Sequence, residues 1–256
     1  MLSHNQAKFI NSLSVKKYRQ QHGQFMIEGE KMVSELLGQS RVPIASIFGL
    51  EPWASQHARL LKPFSDKFNL ITELELSKIS ALTTPNQVLA VADIPLESCN
   101  FQLPAEQICF YLDGIQDPGN MGSILRIADW FGFPVVFCSP DCVDVFSPKV
   151  VQASMGAIFR VLSWEIELAD LLAVSPKIPI AGAVLDGENV FETKLPSHGL
   201  LVIGNEGRGI SVFTESVLSH RISIPRHPKG GAESLNAAVA TGILAAAFRN
   251  HEVIKS

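Results

Sequence analysis

The chain has few of the features that indicate a membrane, secreted or redox protein. Its 256 residues include only four cysteines, and none of them forms a CxxC pair. Cys138 and Cys142 have no histidine nearby, so free buried thiols are expected and no metal site is predicted. No apolar run is long enough to cross a bilayer, and the N-terminal stretch has no apolar signal core. We therefore expect a cytoplasmic protein without membrane attachment.

The chain also lacks an excess of positive charge. It has 21 lysines and arginines against 25 acidic residues, a net charge of −4. The negative net charge argues against a nucleic-acid-binding protein, but the charges are distributed unevenly along the chain. Lys16, Lys17 and Arg19 all precede the first acidic residue, Glu28. This basic N-terminal segment is either a binding surface for a polyanion or an ordinary solvated face.

The pattern of the remaining residues predicts two α/β domains. Hydrophobic residues make up 46% and charged residues 18% of the chain, as in an ordinary folded protein. Short strand-like and helix-like segments alternate, and a segment rich in proline and polar residues interrupts them. We predict a small N-terminal domain over residues 1–95, a linker over 96–106 and a larger C-terminal domain over 107–256.

The most informative stretch extends from Leu200 to Arg249. An apolar strand, Leu200–Ile203, leads into the glycine-rich segment Gly204–Gly209, and a second strand, Ile222–Ile224, leads into a polar loop and a long apolar helix. Ligands bind at the carboxyl ends of strands in open α/β sheets, so we expect one site to receive both loops. The glycine spacing does not match the dinucleotide fingerprint, which argues against an oxidoreductase.

A turn-rich loop and a helix predicted over Met121–Phe131 contribute two further candidates. Asn120 is either a helix N-cap or a site residue. Arg126 is either a surface partner of Asp129 or a group that meets a phosphate or a developing oxyanion. The loop leaves a strand, so the start of this helix points to the same sheet edge as the later loops. That placement favours the functional interpretation.

The later loops carry three more candidates. Glu206 lies between two glycines at a strand end, where a carboxylate is a plausible ligand or arginine partner. Ser234 and Asn236 either cap the last helix or belong to the site. The last helix is apolar on nearly every side, so we expect it to be buried within the domain or in a subunit interface.

Three separated motifs in order resemble the SpoU (TrmH) family of RNA 2′-O-ribose methyltransferases, in the SPOUT superfamily. They extend from Leu112 to Ala128, from Leu201 to Gly209, and from Ile222 to Gly242. The segment Gln152–Ala157 is also similar. The match covers about 150 residues, and three motifs in order are far more specific than any single one.

The resemblance implies a fold and a cofactor that periodicity alone does not predict. The C-terminal domain would form a trefoil knot that binds S-adenosylmethionine, with Gly204, Ile224 and Leu235 as cofactor contacts. Members of the family act as homodimers with active sites at the interface. The N-terminal domain resembles the family's ribosomal-protein-like RNA-binding domain, with Lys16, Lys17 and Arg19 as RNA contacts.

The resemblance also assigns roles in the reaction. Arg126 would stabilise the charge that develops on the ribose oxygen. The residues that would shape the site around it are Asn120, Glu206, Ser234 and Asn236. The expected substrate is ribosomal RNA; transfer RNA and a non-catalytic RNA-binding dimer are the alternatives. The loop Arg226–Glu233 is longer and more basic than in many relatives, which makes the position of Leu235 less defined than that of Gly204.

Overall fold

A computed structural model describes residues 2–39, 41–95 and 100–253. The chain divides into two compact units. The first unit contains the described residues of 1–97 together with 144–159. The second contains those of 98–143 and 160–256. Residues 144–159, which the predicted boundaries assign to the C-terminal domain, thus pack with the first unit.

The first unit is a four-stranded mixed sheet with helices around it. Its strands are β1 Gln24–Glu28, β2 Ile44–Gly49, β3 Phe68–Leu70 and β4 Val88–Asp93, and the sheet order is β1-β4-β2-β3. Its helices are α1 His4–Ser12, α2 Lys16–His22, α3 Glu30–Leu37, α4 Glu51–Gln56, α5 Ala58–Leu61, α6 Glu73–Ser77 and α8 Pro148–Ser154. Ser3 caps α1 by accepting a hydrogen bond from the backbone nitrogen of Gln6.

The late segment 144–159 contributes directly to the first unit. Helix α8 packs on β1, and the rings of Phe25 and Phe146 lie 4.9 Å apart. Asp144 forms an ion pair with Arg19. An aromatic contact and an ion pair therefore fix this segment to the first unit, although about 120 residues separate the partners in the sequence.

The second unit is a six-stranded parallel sheet, as the alternation of strands and helices predicts. Its strands are β5 Ile108–Asp113, β6 Val135–Cys138, β7 Leu162–Glu165, β8 Ile180–Asn189, β9 Gly199–Gly204 and β10 His220–Ser223, in the order β10-β8-β9-β5-β6-β7. Its helices are α7 Pro118–Trp130, α9 Leu168–Val174, α10 Val212–Ser216 and α11 Ala237–Val253. Strands β5 and β9 lie at the centre and are almost entirely buried, which explains their continuous apolar sequence.

The last helix returns to the centre of the second unit. Strand β10 lies at the sheet edge, yet α11, which follows it, packs on α7 and contacts β9. The trefoil knot that the resemblance implies would use such a return path and stays a prediction. No helix among the described residues has both the length and the apolar character needed to cross a bilayer.

Three of the four cysteines are buried free thiols, as expected: Cys109, Cys138 and Cys142. A hydrogen bond from Cys138 lowers the pKa of the Cys142 thiol. The same contact, together with burial, raises the pKa of Cys138. Cys99 lies outside the described residues. Within the described part of the chain, no group of three or more histidine, cysteine and acidic side chains could hold a metal ion.

Candidate active site

The two central strands of the second unit bring two loops together. Asp113 ends β5 and is paired with Gly204, which ends β9. The side chain of Asn205 then donates a hydrogen bond of 2.7 Å to the carbonyl oxygen of Gly114. Because the strands are parallel, both loops leave at their carboxyl ends. The expected position of the site at this edge therefore has a direct structural basis.

A chain of hydrogen bonds connects three of the predicted site residues. The Asn236 amide nitrogen donates to Asn120 Oδ1 over 2.8 Å, and the Asn120 amide nitrogen donates to Glu206 Oε1 over 2.7 Å. Asn120 is buried, so both ends of its amide are held by protein partners. We call these three residues the Asn–Asn–Glu chain. It connects the starts of α7 and α11 to the loop after β9.

The capping interpretation is wrong for Asn120 and right for Asn236. Asp117 is the N-cap of α7, accepting from the backbone nitrogen of Asn120 over 2.7 Å, and Pro118 occupies the first helical position. Asn236 Oδ1 does accept from the backbone nitrogens of Ala238 and Val239 at the start of α11. One side chain thus caps a helix with its oxygen and holds Asn120 with its nitrogen.

Arg126 does not form the surface ion pair that the sequence offered as its alternative role. Asp129 is instead paired with Arg160, with 2.8 Å between the nearest nitrogen and oxygen. Arg126 is exposed, and within the described part of the chain its side chain has no hydrogen bond or ion pair. Its guanidinium is therefore available to an external anion. It lies six residues after Asn120, about 9 Å along the helix axis, and does not join the Asn–Asn–Glu chain.

The loop after β9 is folded tightly on itself. The backbones of Asn205 and Gly209 exchange hydrogen bonds of 2.9 and 3.0 Å, and Asn205 Oδ1 accepts from the backbone nitrogens of Gly207 and Arg208. A Cβ on Gly204 would lie 2.5 Å from the backbone nitrogen of Ile210. The loop can therefore close only with glycine at this position.

Asn205 and Asp117 are residues whose importance sequence reasoning missed. Asn205 holds the loop so that the neighbouring Glu206 reaches Asn120, and this role depends on contacts that no local pattern reveals. Asp117 did carry a readable signal, since an aspartate followed directly by proline is typical of a helix start. The predicted helix accordingly began three residues too late, at Met121 instead of Pro118.

The three predicted cofactor contacts border the loops after β9 and β10. Gly204 ends β9, Ile224 directly follows β10 and is partly buried, and Leu235 is 48% exposed just before Asn236. Among the described residues, the only backbone–backbone hydrogen bond donated from within 224–235 joins Gly230 to His227. Free backbone groups beside an exposed leucine fit a nucleoside-containing cofactor held by main-chain contacts. Ser234 is exposed and has no hydrogen bond within the described part of the chain.

The first unit places the predicted RNA contacts in different environments. Lys17 is exposed on α2, whereas Lys16 is partly buried. Arg19 is only 2% exposed; its Nε donates to Asp144 Oδ2 over 2.9 Å, and its Nη1 donates to the carbonyl oxygen of Leu13 over 2.7 Å. The prediction that Arg19 contacts RNA is therefore wrong, because its guanidinium is buried and occupied inside the unit.

Comparisons with known sequences match both parts of the chain to known families. Residues 107–246 match the SpoU rRNA Methylase family, and residues 4–90 match the MRM3-like substrate binding domain. The chain is 28% identical over 248 residues to the 23S rRNA (guanosine(2553)-2′-O)-methyltransferase RlmP of Bacillus subtilis. That alignment covers 91% of each chain.

Solved structures give the same relationship. A TrmH-family protein from Porphyromonas gingivalis is 40% identical, with a TM-score of 0.84 and coverage of 98% of this chain and 99% of its own. An AdoMet-bound rRNA methyltransferase from Sinorhizobium meliloti is 25% identical, with a TM-score of 0.81 and coverage of 98% and 97%. The matched family segment spans more than half of the 256 residues and includes the whole Asn–Asn–Glu chain. The chain belongs to the SpoU rRNA methylase family.

Proposed function

We propose that this protein transfers a methyl group from S-adenosylmethionine to the 2′-hydroxyl of a ribose in ribosomal RNA. The observation that carries the proposal is the Asn–Asn–Glu chain, which connects the three segments that contain the family motifs. Both ends of the Asn120 amide are occupied, so its orientation is fixed before any substrate arrives. A preorganised polar centre of this kind is what stabilisation of a transition state needs.

Arg126 is the proposed group that meets the reacting ribose. It is exposed and has no partner within the described part of the chain. A guanidinium stays protonated at ordinary pH, so it serves better to stabilise a developing oxyanion or to hold a phosphate than to remove a proton. Asn120, Glu206, Ser234 and Asn236 would shape the polar surroundings of that ribose.

The loops after β9 and β10 would hold the cofactor. S-adenosylmethionine, when bound, supplies a methyl group that is already activated on a sulfonium. Gly204 and Ile224 would offer backbone groups, and the exposed Leu235 side chain would cover an apolar part of the cofactor. The S. meliloti relative, whose structure contains AdoMet, supports this assignment.

The proposed substrate class is ribosomal RNA, with transfer RNA as the alternative. The B. subtilis relative is named for 23S rRNA, and the match of residues 4–90 to a substrate-binding domain supports a role of the first unit in binding the RNA. Lys16 and Lys17 on α2 remain proposed RNA contacts. A cytoplasmic location would follow from this substrate and stays a prediction.

We further propose that two copies assemble through the exposed face formed by α7 and α11. A groove of about 750 Å³ lies between these helices and is lined by apolar residues such as Ile127, Val239 and Ile243, next to Asn120 and Asn236. Trp130 is 85% exposed and lies one helical turn beyond both Arg126 and Ile127. A second copy covering this face would remove Trp130 from water and bring its own residues beside Arg126.

A methyl-transfer assay tests the proposed activity. Radiolabelled S-adenosylmethionine would be incubated with unmodified ribosomal and transfer RNA, using the wild-type protein, Arg126→Ala and the control Lys194→Ala. We expect label in ribosomal RNA, at one position that resists alkaline cleavage. Arg126→Ala should lose at least 100-fold in rate, about 2.7 kcal/mol, while it binds adenosylhomocysteine normally. Lys194→Ala removes an exposed charge of the same unit and should behave as wild type.

Four outcomes would change the proposal. Label in transfer RNA alone would replace the substrate class. Normal cofactor binding without transfer to either RNA would contradict both substrate assignments. Loss of adenosylhomocysteine binding in Arg126→Ala would contradict the position of Arg126 at the ribose. A wild-type protein that binds RNA but no cofactor would favour the non-catalytic dimer.

A further inference from the structure

The segment from Pro225 to Asn236, here called the basic loop, offers backbone groups to the proposed cofactor, but its charged side chains have no assigned role. All twelve of its residues are exposed. It carries Arg226, His227 and Lys229 against a single acidic residue, Glu233. The whole chain has a net charge of −4, so a positive segment of this kind is a local feature. Loops positioned by a rigid sheet are common sites of recognition.

The basic loop has a defined conformation despite its exposure. Gly230 donates its backbone hydrogen to the carbonyl oxygen of His227 over 2.8 Å, and the backbone nitrogen of Lys229 donates to His227 Nδ1 over 3.2 Å. Arg226 Nη1 donates to the carbonyl oxygen of Ala232 over 3.1 Å. These contacts fold the loop back on itself. Within the described part of the chain, the side-chain amine of Lys229 has no partner.

The position of the basic loop connects it to the proposed reaction centre. The loop starts directly after Ile224 and ends at Asn236, which donates to Asn120 in the Asn–Asn–Glu chain. Lys229 is seven residues from Asn236. A fully extended chain of this length would separate the two residues by at most about 25 Å, and the folded loop brings them closer. Because the loop ends at the residue that contacts Asn120, it lies within reach of an RNA strand whose ribose is bound there.

We propose that the basic loop binds backbone phosphates of the RNA next to the target ribose, with Arg226 and Lys229 as the contacts. The inference rests on the proposed methyl transfer and names the part of the substrate that this loop recognises. Arginine and lysine bind phosphate through charge-assisted hydrogen bonds. A Cβ on Gly231 would meet no atom within 4 Å, so the loop has room to adjust to a ligand.

Salt-dependent RNA binding tests this role. The double variant Arg226→Ala/Lys229→Ala would be compared with the wild-type full-length protein, with unmodified 23S ribosomal RNA transcript as the probe. Loss of two phosphate contacts should reduce the slope of log affinity against log salt by about 1.4 to 1.8. The KM for RNA should rise at least tenfold at physiological salt, while kcat at saturating RNA and the Kd for adenosylhomocysteine change less than twofold.

Three control variants separate a phosphate contact from a general effect of charge or loop structure. Lys177→Asn/Lys194→Ala removes the same two charges elsewhere in the unit; Lys177 has φ of 66°, which asparagine tolerates. This variant should keep the wild-type slope. Arg226→Lys/Lys229→Arg keeps both charges and should keep most of the slope. Lys229→Ala alone leaves the Arg226–Ala232 contact intact and should reduce the salt slope by about half as much as the double variant.

The outcomes distinguish failure of this inference from failure of the proposed function. If the wild type methylates the transcript and the Arg226→Ala/Lys229→Ala slope equals that of the control pair, the loop inference is overturned and the methyl transfer stands. If the wild type binds the transcript without methylating it, the slopes still decide the role of the loop. A raised Kd for adenosylhomocysteine with an unchanged RNA slope would assign the loop to the cofactor and also overturn the inference.

Discussion

The loops that follow β9 and β10 leave the same edge of one sheet but differ in how they are held. In the loop after β9, Asn205 alone makes three side-chain hydrogen bonds, and Glu206 is bound to Asn120. The basic loop after β10 is exposed along all twelve residues and has a single backbone–backbone hydrogen bond of its own. The first loop is built to fix polar groups in place, and the second is built to receive a partner.

This contrast explains how one sheet edge can both catalyse methyl transfer and bind the RNA substrate. Groups that stabilise a transition state gain most when they are held rigidly before the reaction. Groups that contact a long, variable ligand gain from exposure and adjustable backbone. Asn236 belongs to both regions, because it ends the exposed basic loop and is also part of the fixed Asn–Asn–Glu chain.

The basic side chains of α2 differ in the same way, because Arg19 is held by protein partners whereas Lys17 is exposed. Arg19→Ala should lower the free energy of unfolding by about 3 to 5 kcal/mol, because it leaves Asp144 without its partner in a mostly buried position. Lys17→Ala on the same helix should change it by less than about 0.5 kcal/mol. Urea unfolding of both variants measures this, and equal stabilities would contradict the structural role of Arg19.

Two glycines give the sharpest test of the contrast between the loops. Gly204→Ala forces a Cβ against the backbone of Gly209 and Ile210, and it should cost about 2 to 3 kcal/mol of stability and abolish cofactor binding. Gly231→Ala in the basic loop meets open space and should change stability by less than about 1 kcal/mol. Thermal unfolding with and without adenosylhomocysteine measures both effects. A tolerated Gly204→Ala would show that the first loop is not tightly held.

Asn205→Ala should have a smaller effect of the same kind. It removes the donor to Gly114 and leaves the loop without its internal acceptor, which should cost about 1 to 2 kcal/mol of stability. Misplacement of Glu206 should lower kcat by roughly tenfold, with an unchanged KM for RNA. Asn205→Asp keeps the acceptor and should retain more activity than Asn205→Ala. An effect on the RNA KM alone would contradict the positioning role.

Much of the fold was predictable because local patterns agreed with the tertiary structure. The sequence pattern predicts a helix from about His4 to Ser12 with Ser3 as its cap and a strand over Val135–Cys138, and helix α1 and strand β6 have these bounds. The apolar run Leu200–Ile203 is a central buried strand. Strand β7 was less accurate. The sequence pattern predicts an extended segment over 159–162, whereas the strand is found over Leu162–Glu165, after a 3-10 turn at Ala157–Phe159 that no apolar pattern marks.

The errors arose where distant residues decide the outcome. Lys16–His22 reads as a polar, basic segment, yet it forms helix α2, and its Arg19 is held by Asp144, 125 residues away. The position of their loops at strand ends and the family motifs suggest that Asn120, Glu206 and Asn236 converge, but only the structure shows their hydrogen-bond partners. Side-chain partners across the sheet edge depend on tertiary packing, which a single sequence does not encode locally.

The most direct test of the account exchanges donor and acceptor within the Asn–Asn–Glu chain. Asn120→Asp sets two carboxylates against each other at 2.7 Å, whereas Asn120→Asp/Glu206→Gln restores a hydrogen bond with the donor on the opposite side. Methyl transfer to unmodified ribosomal RNA would be measured for both. The account predicts at least a 100-fold loss of kcat in the single variant and at least a tenfold recovery in the double variant. Wild-type activity in Asn120→Asp, or no recovery in a folded double variant that binds adenosylhomocysteine, would contradict it.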